Sequence, residues 1–400
     1  MTTTASPSFT RLALVLGLLS AVGPIAIDMY MPGLPAIAAD LGTDVGAAQQ
    51  TLVAFFLALA VGQPVYGPLA DAYGRRPPLI WGLVLFIAAG VGCVYAPDIG
   101  TLVAFRFVQG LGACATAVIV RAIIRDLYTG ARAAQLLALT FLLLGISPLL
   151  APLAGTFFLA AFSWQSIFWV FAFIGALGLA MVWFFLPETL PPERRDRRSL
   201  LQAFSGYGSL FLDRRFMALT LVTGLVQTVL FSFVVGSAFF FMGVYGLEPW
   251  LYSLLFASCA VVGIGLAQFS APAMRGLGAE RLITIACLAC AGGATALFVL
   301  TLIGLAPLLV ALPLVWITFV GLAFVGAPGT VLALDPHGEK AGTASALMGT
   351  LQFGLGAIGA GIVSVLFDGT AVPLTATMAA CAIAALAITL ATLRRHPAIA

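Results

Sequence analysis

Gly67-Pro68-Leu69-Ala70-Asp71-Ala72-Tyr73-Gly74-Arg75-Arg76-Pro77 is a short polar turn set between two long apolar runs. Its glycines allow close backbone approach, and its paired arginines stand where the end of a membrane span would meet water. The same alternation of long apolar run and short polar or Gly/Pro-rich connection continues to the C-terminus. A span needs roughly 20 apolar residues to cross about 30 Å of hydrocarbon. Twelve such stretches can be marked in the 400 residues.

Composition agrees with a lipid solvent. The chain is 62% hydrophobic and 8% charged, whereas soluble domains carry about 25% charged residues. Lipid offers no water to unpaired backbone groups, so segments this long and apolar must be helices. A barrel would instead show alternating strands of about ten residues. The expected fold is an all-α polytopic membrane protein with 12 transmembrane helices.

Several functional classes fall away. A net charge of +3 with scattered basic residues lacks the clustered phosphate contacts of a nucleic-acid binder. All six cysteines lie in apolar runs, where a thiol behaves as a small hydrophobe. Cys287 and Cys290 form a C-x-x-C without the second pair or nearby His that a zinc site needs, so no metal is expected. The N-terminal run after Arg11 superficially resembles a secretory signal, but it carries Asp28 and continues too long, and reads as a retained first span.

Charge sets the orientation. Arg75, Arg76, Arg125, Arg132, the Arg194 to Arg198 run, Arg214, Arg215, Arg275, Arg281, Lys340, Arg394 and Arg395 all fall at even-numbered connections or the C-terminus. The odd-numbered connections hold Asp40, Asp44, Asp98, Glu248 and Asp368, with no Lys or Arg. By the positive-inside rule both termini and the central loop are predicted to be cytoplasmic.

The longest polar stretch, with its PETLPPERRDRR composition, suits a solvated linker. The predicted division is residues 1–190, a six-helix bundle; 191–215, a cytoplasmic linker; and 216–400, a second six-helix bundle. A faint repeat supports two halves: sliding Gly67 to Ile80 onto Ala271 to Thr284 pairs Pro68 with Pro272 and Gly74 with Gly278. The same offset pairs Gly145 with Gly349. Repeated halves about a central site are how many secondary transporters are built.

Ionisable groups are costly in the bilayer and are functional candidates by default. Two stand clearly inside spans, Asp28 and Arg106. At 1.5 Å per residue Asp28 lies roughly 25 Å from the inner boundary, and Arg106 about 8 Å inside the outer one. That common depth predicts a shared cavity in which each influences the other's charge; the bland reading has both near the interface, Arg106 snorkelling outward and Asp28 ending its helix before Pro32. Asp28 is the better proton carrier, because a carboxyl in a partly apolar cavity can be neutral while Arg stays protonated. Arg121, near the end of its helix, reads as an inside-positive helix end.

The Gly67–Pro77 turn suits a charge latch between the two bundles, built on Gly67, Asp71, Gly74, Arg75 and Arg76. Pro148 and Pro152 bend the fifth span, where small residues allow tight packing. The cavity in the second half can draw only on groups such as Gln227, Ser232, Gln268, Trp316 and Gln352. A substrate held mostly by apolar and aromatic contacts is expected. Phe239-Phe240-Phe241 could line that pocket, although lipid-facing aromatics are commoner.

The turn resembles the major facilitator superfamily, whose motif there reads G-x-L-x-D-x-x-G-R-[RK]; Gly67, Leu69, Asp71, Gly74, Arg75 and Arg76 match. DMYMPGLPAI (Asp28 to Ile37) and RFVQGLGA (Arg106 to Ala113) resemble helix 1 and helix 4 motifs of its drug:proton antiporters. AGTASALMGTLQFGLGA (Ala341 to Ala357) is similar to helix 11 of the Bcr/CflA group, which includes bicyclomycin and chloramphenicol-type exporters. Of the antiporter G-P-x-x-G-G motif, Ala151-Pro152-Leu153-Ala154-Gly155-Thr156 keeps Pro152 and Gly155 and replaces two glycines. The resemblance spans essentially the whole chain. It implies two six-helix bundles and proton-coupled efflux of small lipophilic drugs of the chloramphenicol-like or bicyclomycin-like kind. It further implies a coupling and substrate site at Asp28, Tyr30, Arg106 and Gln109, an antiporter motif at Pro148, Pro152 and Gly155, and a monomer in the inner membrane.

Without a G-x-x-x-x-G-K-[ST] phosphate loop, the energy must come from an ion gradient, of protons or sodium, with no cofactor. A rival reading is a sugar or metabolite transporter: Pro187-Glu188-Thr189 resembles sugar porters, but the spans are poor in Asn, Gln and charge. A membrane enzyme or channel would need clustered His, Ser or acidic residues at membrane depth, and the only histidines, His337 and His396, sit at span ends.

Overall fold

The computed structural model describes residues 9–128, 130–195 and 207–392. Six long helices precede the linker: α1 (Phe9–Asp28), α2 (Val45–Tyr73), α3 (Arg76–Val94), α4 (Ile99–Leu127), α5 (Gly130–Ala161) and α6 (Trp164–Phe185). Six follow it: α7 (Arg214–Ala238), α8 (Pro249–Ala267), α9 (Ala279–Leu302), α10 (Leu308–Leu334), α11 (Ala341–Val365) and α12 (Val372–Thr392). Among the described residues there is no strand. Eleven of these helices are long and apolar enough to cross a membrane, and α5 supplies the further apolar stretch Gly145–Ala161. The protein is thus an all-α, multi-pass membrane protein of two six-helix bundles. Residues 196–206 of the linker, with Arg197 and Arg198, and the C-terminal Arg394, Arg395 and His396 lie outside the described residues.

Local chemistry sets the helix ends. Asp44 caps α2 by accepting from the Ala47 amide at 2.7 Å, and Asp98 caps α4 by accepting from the Thr101 amide at 2.9 Å. The bond from the Thr101 amide, with a second from its hydroxyl, holds the Asp98 carboxyl below the usual carboxylate range. At the turns after α2 and before α9, Gly74 (φ 94°) and Gly278 (φ 77°) take the left-handed conformation that favours glycine. These are the two glycines that the sequence repeat pairs.

The repeat reappears in the packing. Adding 204 to the ends of α2, Val45 and Tyr73, gives Pro249 and Leu277, the limits of α8 with the short helix Ser270–Leu277 behind it. Gly145 of α5 packs on Ile264 of α8, and its repeat mate Gly349 of α11 packs on Gln63 of α2. The two halves therefore meet along two related seams, α5 with α8 and α11 with α2.

Further bonds close the seams at the end opposite the arginines. The Ser364 hydroxyl donates to the Gly46 carbonyl at 2.6 Å, and Thr156 and Ser253 share a hydrogen bond at 2.9 Å. Ser237 lies against the Met31 sulfur at 4.0 Å. Deeper in, Phe56 of α2 stacks on Phe231 of α7 with centroids 4.3 Å apart, and Phe231 stacks on Phe353 of α11 at 5.4 Å. The flank made by α3 and α6 instead exposes Trp81, Trp169, Phe173, Trp183 and Phe184, side chains that belong in lipid and its interface.

Candidate transport site

Arg106 is fully buried. Its guanidinium donates to Gln109 Oε1 at 2.6 Å and to the Ala26 carbonyl of α1 at 3.0 Å. Three rings box it in: Tyr30 and Phe55 with centroids 4.5 Å from its central carbon, and Phe168 at 5.8 Å. Tyr30 is in turn held by a 2.9 Å hydrogen bond to Thr51. Each cation–π contact is worth up to about 2 kcal/mol when desolvated, against a penalty of several kcal/mol for burying an ion. Arg106 Nε and Gln109 Nε2 have no partner among the described residues. The box tolerates the charge without neutralising it.

Asp28 is 6% exposed and lies elsewhere. Its Oδ2 accepts from the Ser147 hydroxyl of α5 at 3.1 Å. This corrects the expectation of one cavity shared by Asp28 and Arg106. Ala26 and Tyr30, which touch Arg106, flank Asp28 by two residues on either side, and two residues is about 200° of helix. Azimuth about α1 separates the pair. Tyr30, Arg106 and Gln109 form one cluster facing α2 and α6; Asp28 sits in the seam between α1 and α5.

That seam is where the antiporter-like residues lie. Pro148 and Pro152 stand inside α5, and a Cβ on Gly155 would run into the carbonyl of Met29, the residue just past α1. The repeat mate of Gly155 is Gly359, where a Cβ would meet Thr228 and come within 3.1 Å of Ser232 Oγ on α7. Ser232 is itself the repeat mate of Asp28. The second half keeps the tight helix crossing and replaces the carboxyl with a hydroxyl.

The turn between α2 and α3 forms a second polar site. Buried Arg75 pairs with Asp71 and donates through Nε to Asp126 of α4 at 2.7 Å. Glu188, three residues past α6, accepts from the Arg75 amide at 2.8 Å and the Arg76 amide at 3.1 Å, so its carboxylate covers the N-terminus of α3. Gly74 leaves it room: a Cβ there would lie 2.5 Å from Glu188 Oε2. Arg76 donates to the Trp183 carbonyl at 2.7 Å. Among the described residues every one of these partners belongs to the first half, so the network is a clasp within one bundle. Gly67 has open space around its Cβ direction.

Sequence reading missed Asp126, Glu188 and Ser147 as partners. Only Glu188 left a usable signal, a carboxylate just past a span end on the same side as the paired arginines. In the second half, Gln352 donates to Thr223 at 3.2 Å and Trp316 to Ser258 at 3.2 Å. Phe240 and Phe241 are buried among Phe233, Tyr245 and Tyr252, inside the second bundle and away from lipid.

Two pseudo-repeated six-helix bundles meeting along paired seams, with ionisable groups buried between apolar helices, are the architecture of a membrane transporter. The chain belongs to the Major Facilitator Superfamily, whose family model matches residues 16–361. It is 36% identical over 375 residues to a Bacillus subtilis (strain 168) protein described as an uncharacterized MFS-type transporter, covering 92% of this chain and 91% of the relative. It is 30% identical over 379 residues to the bicyclomycin resistance protein homolog of Haemophilus influenzae, covering 92% and 93%. The xylose transporter of E. coli, solved in a partially occluded inward-open conformation, superposes with a TM-score of 0.74 at 15% identity, covering 97% and 98%.

Proposed function

We propose that this chain exports small lipophilic drugs across the bacterial inner membrane in exchange for protons, by alternating access between bodies 1–190 and 216–400. The observation that carries the coupling is the Asp28 seam: a carboxyl buried against Ser147 of α5, a helix that carries two prolines and meets the end of α1 at Gly155. A proton entering or leaving Asp28 changes the charge inside a helix crossing that must shift when the halves rock. Arg106, held by its aromatic box, keeps a fixed positive field beside α1 and cannot itself carry the proton. The buried contents of the second half are hydroxyls, amides and aromatic rings, which suits lipophilic substrates better than polyols. The name of the Haemophilus relative supports drug export, and a chloramphenicol-like or bicyclomycin-like substrate follows from it and from the helix 11 resemblance. The distribution of Lys and Arg supports cytoplasmic termini, which places the closed end of the seams on the outside. The Arg75 clasp would hold the inner ends of α2, α3 and α4 as one rigid piece during that motion.

The test is drug protection of efflux-deficient cells by wild type and Asp28→Asn, with and without a protonophore. Protection that is lost in Asp28→Asn, at equal membrane expression, and abolished by the protonophore is expected. Full protection by Asp28→Asn would end the coupling proposal, and no protection by well-expressed wild type would turn the reading towards metabolite transport.

A further inference from the structure

Arg121 has no place in the clasp or in either buried site. It lies six residues before the end of α4, about 9 Å inside it. The opposite face of α4 packs on α3: a Cβ on Gly112 would lie 2.5 Å from the Phe86 amide nitrogen, and Ala115 fills the space beside Gly82. Nine residues separate Gly112 from Arg121, two and a half helical turns, so Arg121 points away from α3. Because α3 carries exposed Trp81 and Val84 on the lipid flank, away from α3 means towards the other half. The stripe is open there: Ala117 and Val118 are half-buried, and Arg121 and Arg125 are exposed. Among the described residues the Arg121 guanidinium makes one hydrogen bond, from Nε to the Ala117 carbonyl at 2.8 Å, and no ion pair.

Among the described residues no carboxylate pairs with Arg121 or Arg125. Asp71 and Asp126 are both engaged by Arg75, and Asp28 is turned into the α1–α5 seam near the far end of its helix. In the second half Glu248 and Asp368 lie at the opposite end, while on the arginine side Glu280 pairs with Arg215 and Asp213 with His337. A charge beside low-dielectric walls is felt more strongly and further than in water.

We infer that Arg121 and Arg125 form a cationic filter at the arginine-rich mouth between the halves, so that the transporter takes neutral and anionic lipophilic molecules and rejects lipophilic cations. This rests on the export reading above and adds the charge class of the substrate. The experiment uses inside-out membrane vesicles energised with a proton gradient and three probes: ethidium, a permanent cation; chloramphenicol, neutral; and fluorescein, an anion. Wild type should move fluorescein faster than ethidium by about tenfold or more, the order of selection one unscreened charge provides. Arg121→Glu should invert that ratio and leave chloramphenicol transport within about twofold; Arg121→Gln should fall between. Equal rates for ethidium and fluorescein in wild type, or a ratio unchanged in Arg121→Glu while chloramphenicol still moves, overturn the filter alone. A wild type that moves none of the probes overturns the export reading together with it.

Discussion

Arg106 shows how much of a transporter can rest on the geometry of one side chain. Its planar guanidinium bonds Gln109 and the Ala26 carbonyl along its edge while its faces meet aromatic rings. Lysine would keep the charge but could not do both, because an ammonium is a compact point charge without a stacking face. Arg106→Lys is therefore expected to reach the membrane and to transport at about a tenth of the wild-type rate or less. Measured initial rates in vesicles check this, and a rate near wild type would mean that charge alone suffices. The charge of Asp28 and Arg106 was legible in the sequence, since an ionisable residue in an apolar run announces itself. Their separation was not, because depth follows from counting residues whereas azimuth depends on which neighbour each helix face meets.

At the scale of helices, the α1–α5 crossing is set by the absence of a side chain. The space that a Cβ would need at Gly155 is occupied by backbone, the Met29 carbonyl, which cannot rotate out of the way. Gly155→Ala should destabilise the protein by about 1–3 kcal/mol, as overpacking does. Gly265→Ala in α8, where nothing lies within 4 Å, should be neutral or slightly stabilising. Thermal unfolding of both variants in detergent checks the pair, and equal midpoints would show that the crossing can relax. The twelve helices themselves could be read directly from hydrophobic length, because lipid enforces helical pairing of the backbone. The clasp at the α2–α3 turn was readable as a motif but not as a network. Glu188 reaches Arg75 across 113 residues, and no local pattern encodes such a contact.

On the scale of the whole molecule, the two halves touch at the end opposite the arginines through Thr156 with Ser253 and Gly46 with Ser364. Alternating access requires those contacts to part in every cycle. In the double variant Thr156→Cys, Ser253→Cys, an oxidised disulfide should stop transport and dithiothreitol should restore it, since hydroxyl oxygens only 2.9 Å apart place the two positions within disulfide reach. Peptide mapping of the 156–253 link together with vesicle rates checks this; undiminished transport by the linked protein would refute a rocking cycle that opens this end. The two-half architecture was legible from a faint offset of 204 residues between paired glycines. The seams which that offset predicts became visible only once Gly145 and Gly349 were found facing the opposite bundles.

The pairing of Asp28 with Ser232 under that same offset bears on how such a protein changes over generations. Both halves preserve the shape of the crossing, with glycine at 155 and 359, but only the first holds an acid there. In the proposed cycle the energy source is confined to one half, leaving the buried surfaces of α7 to α12 bound by steric fit and free of any duty to titrate. Mutations there can redraw the range of molecules carried while the drive that carries them stays intact, which is the kind of freedom that lets a resistance phenotype broaden by single steps.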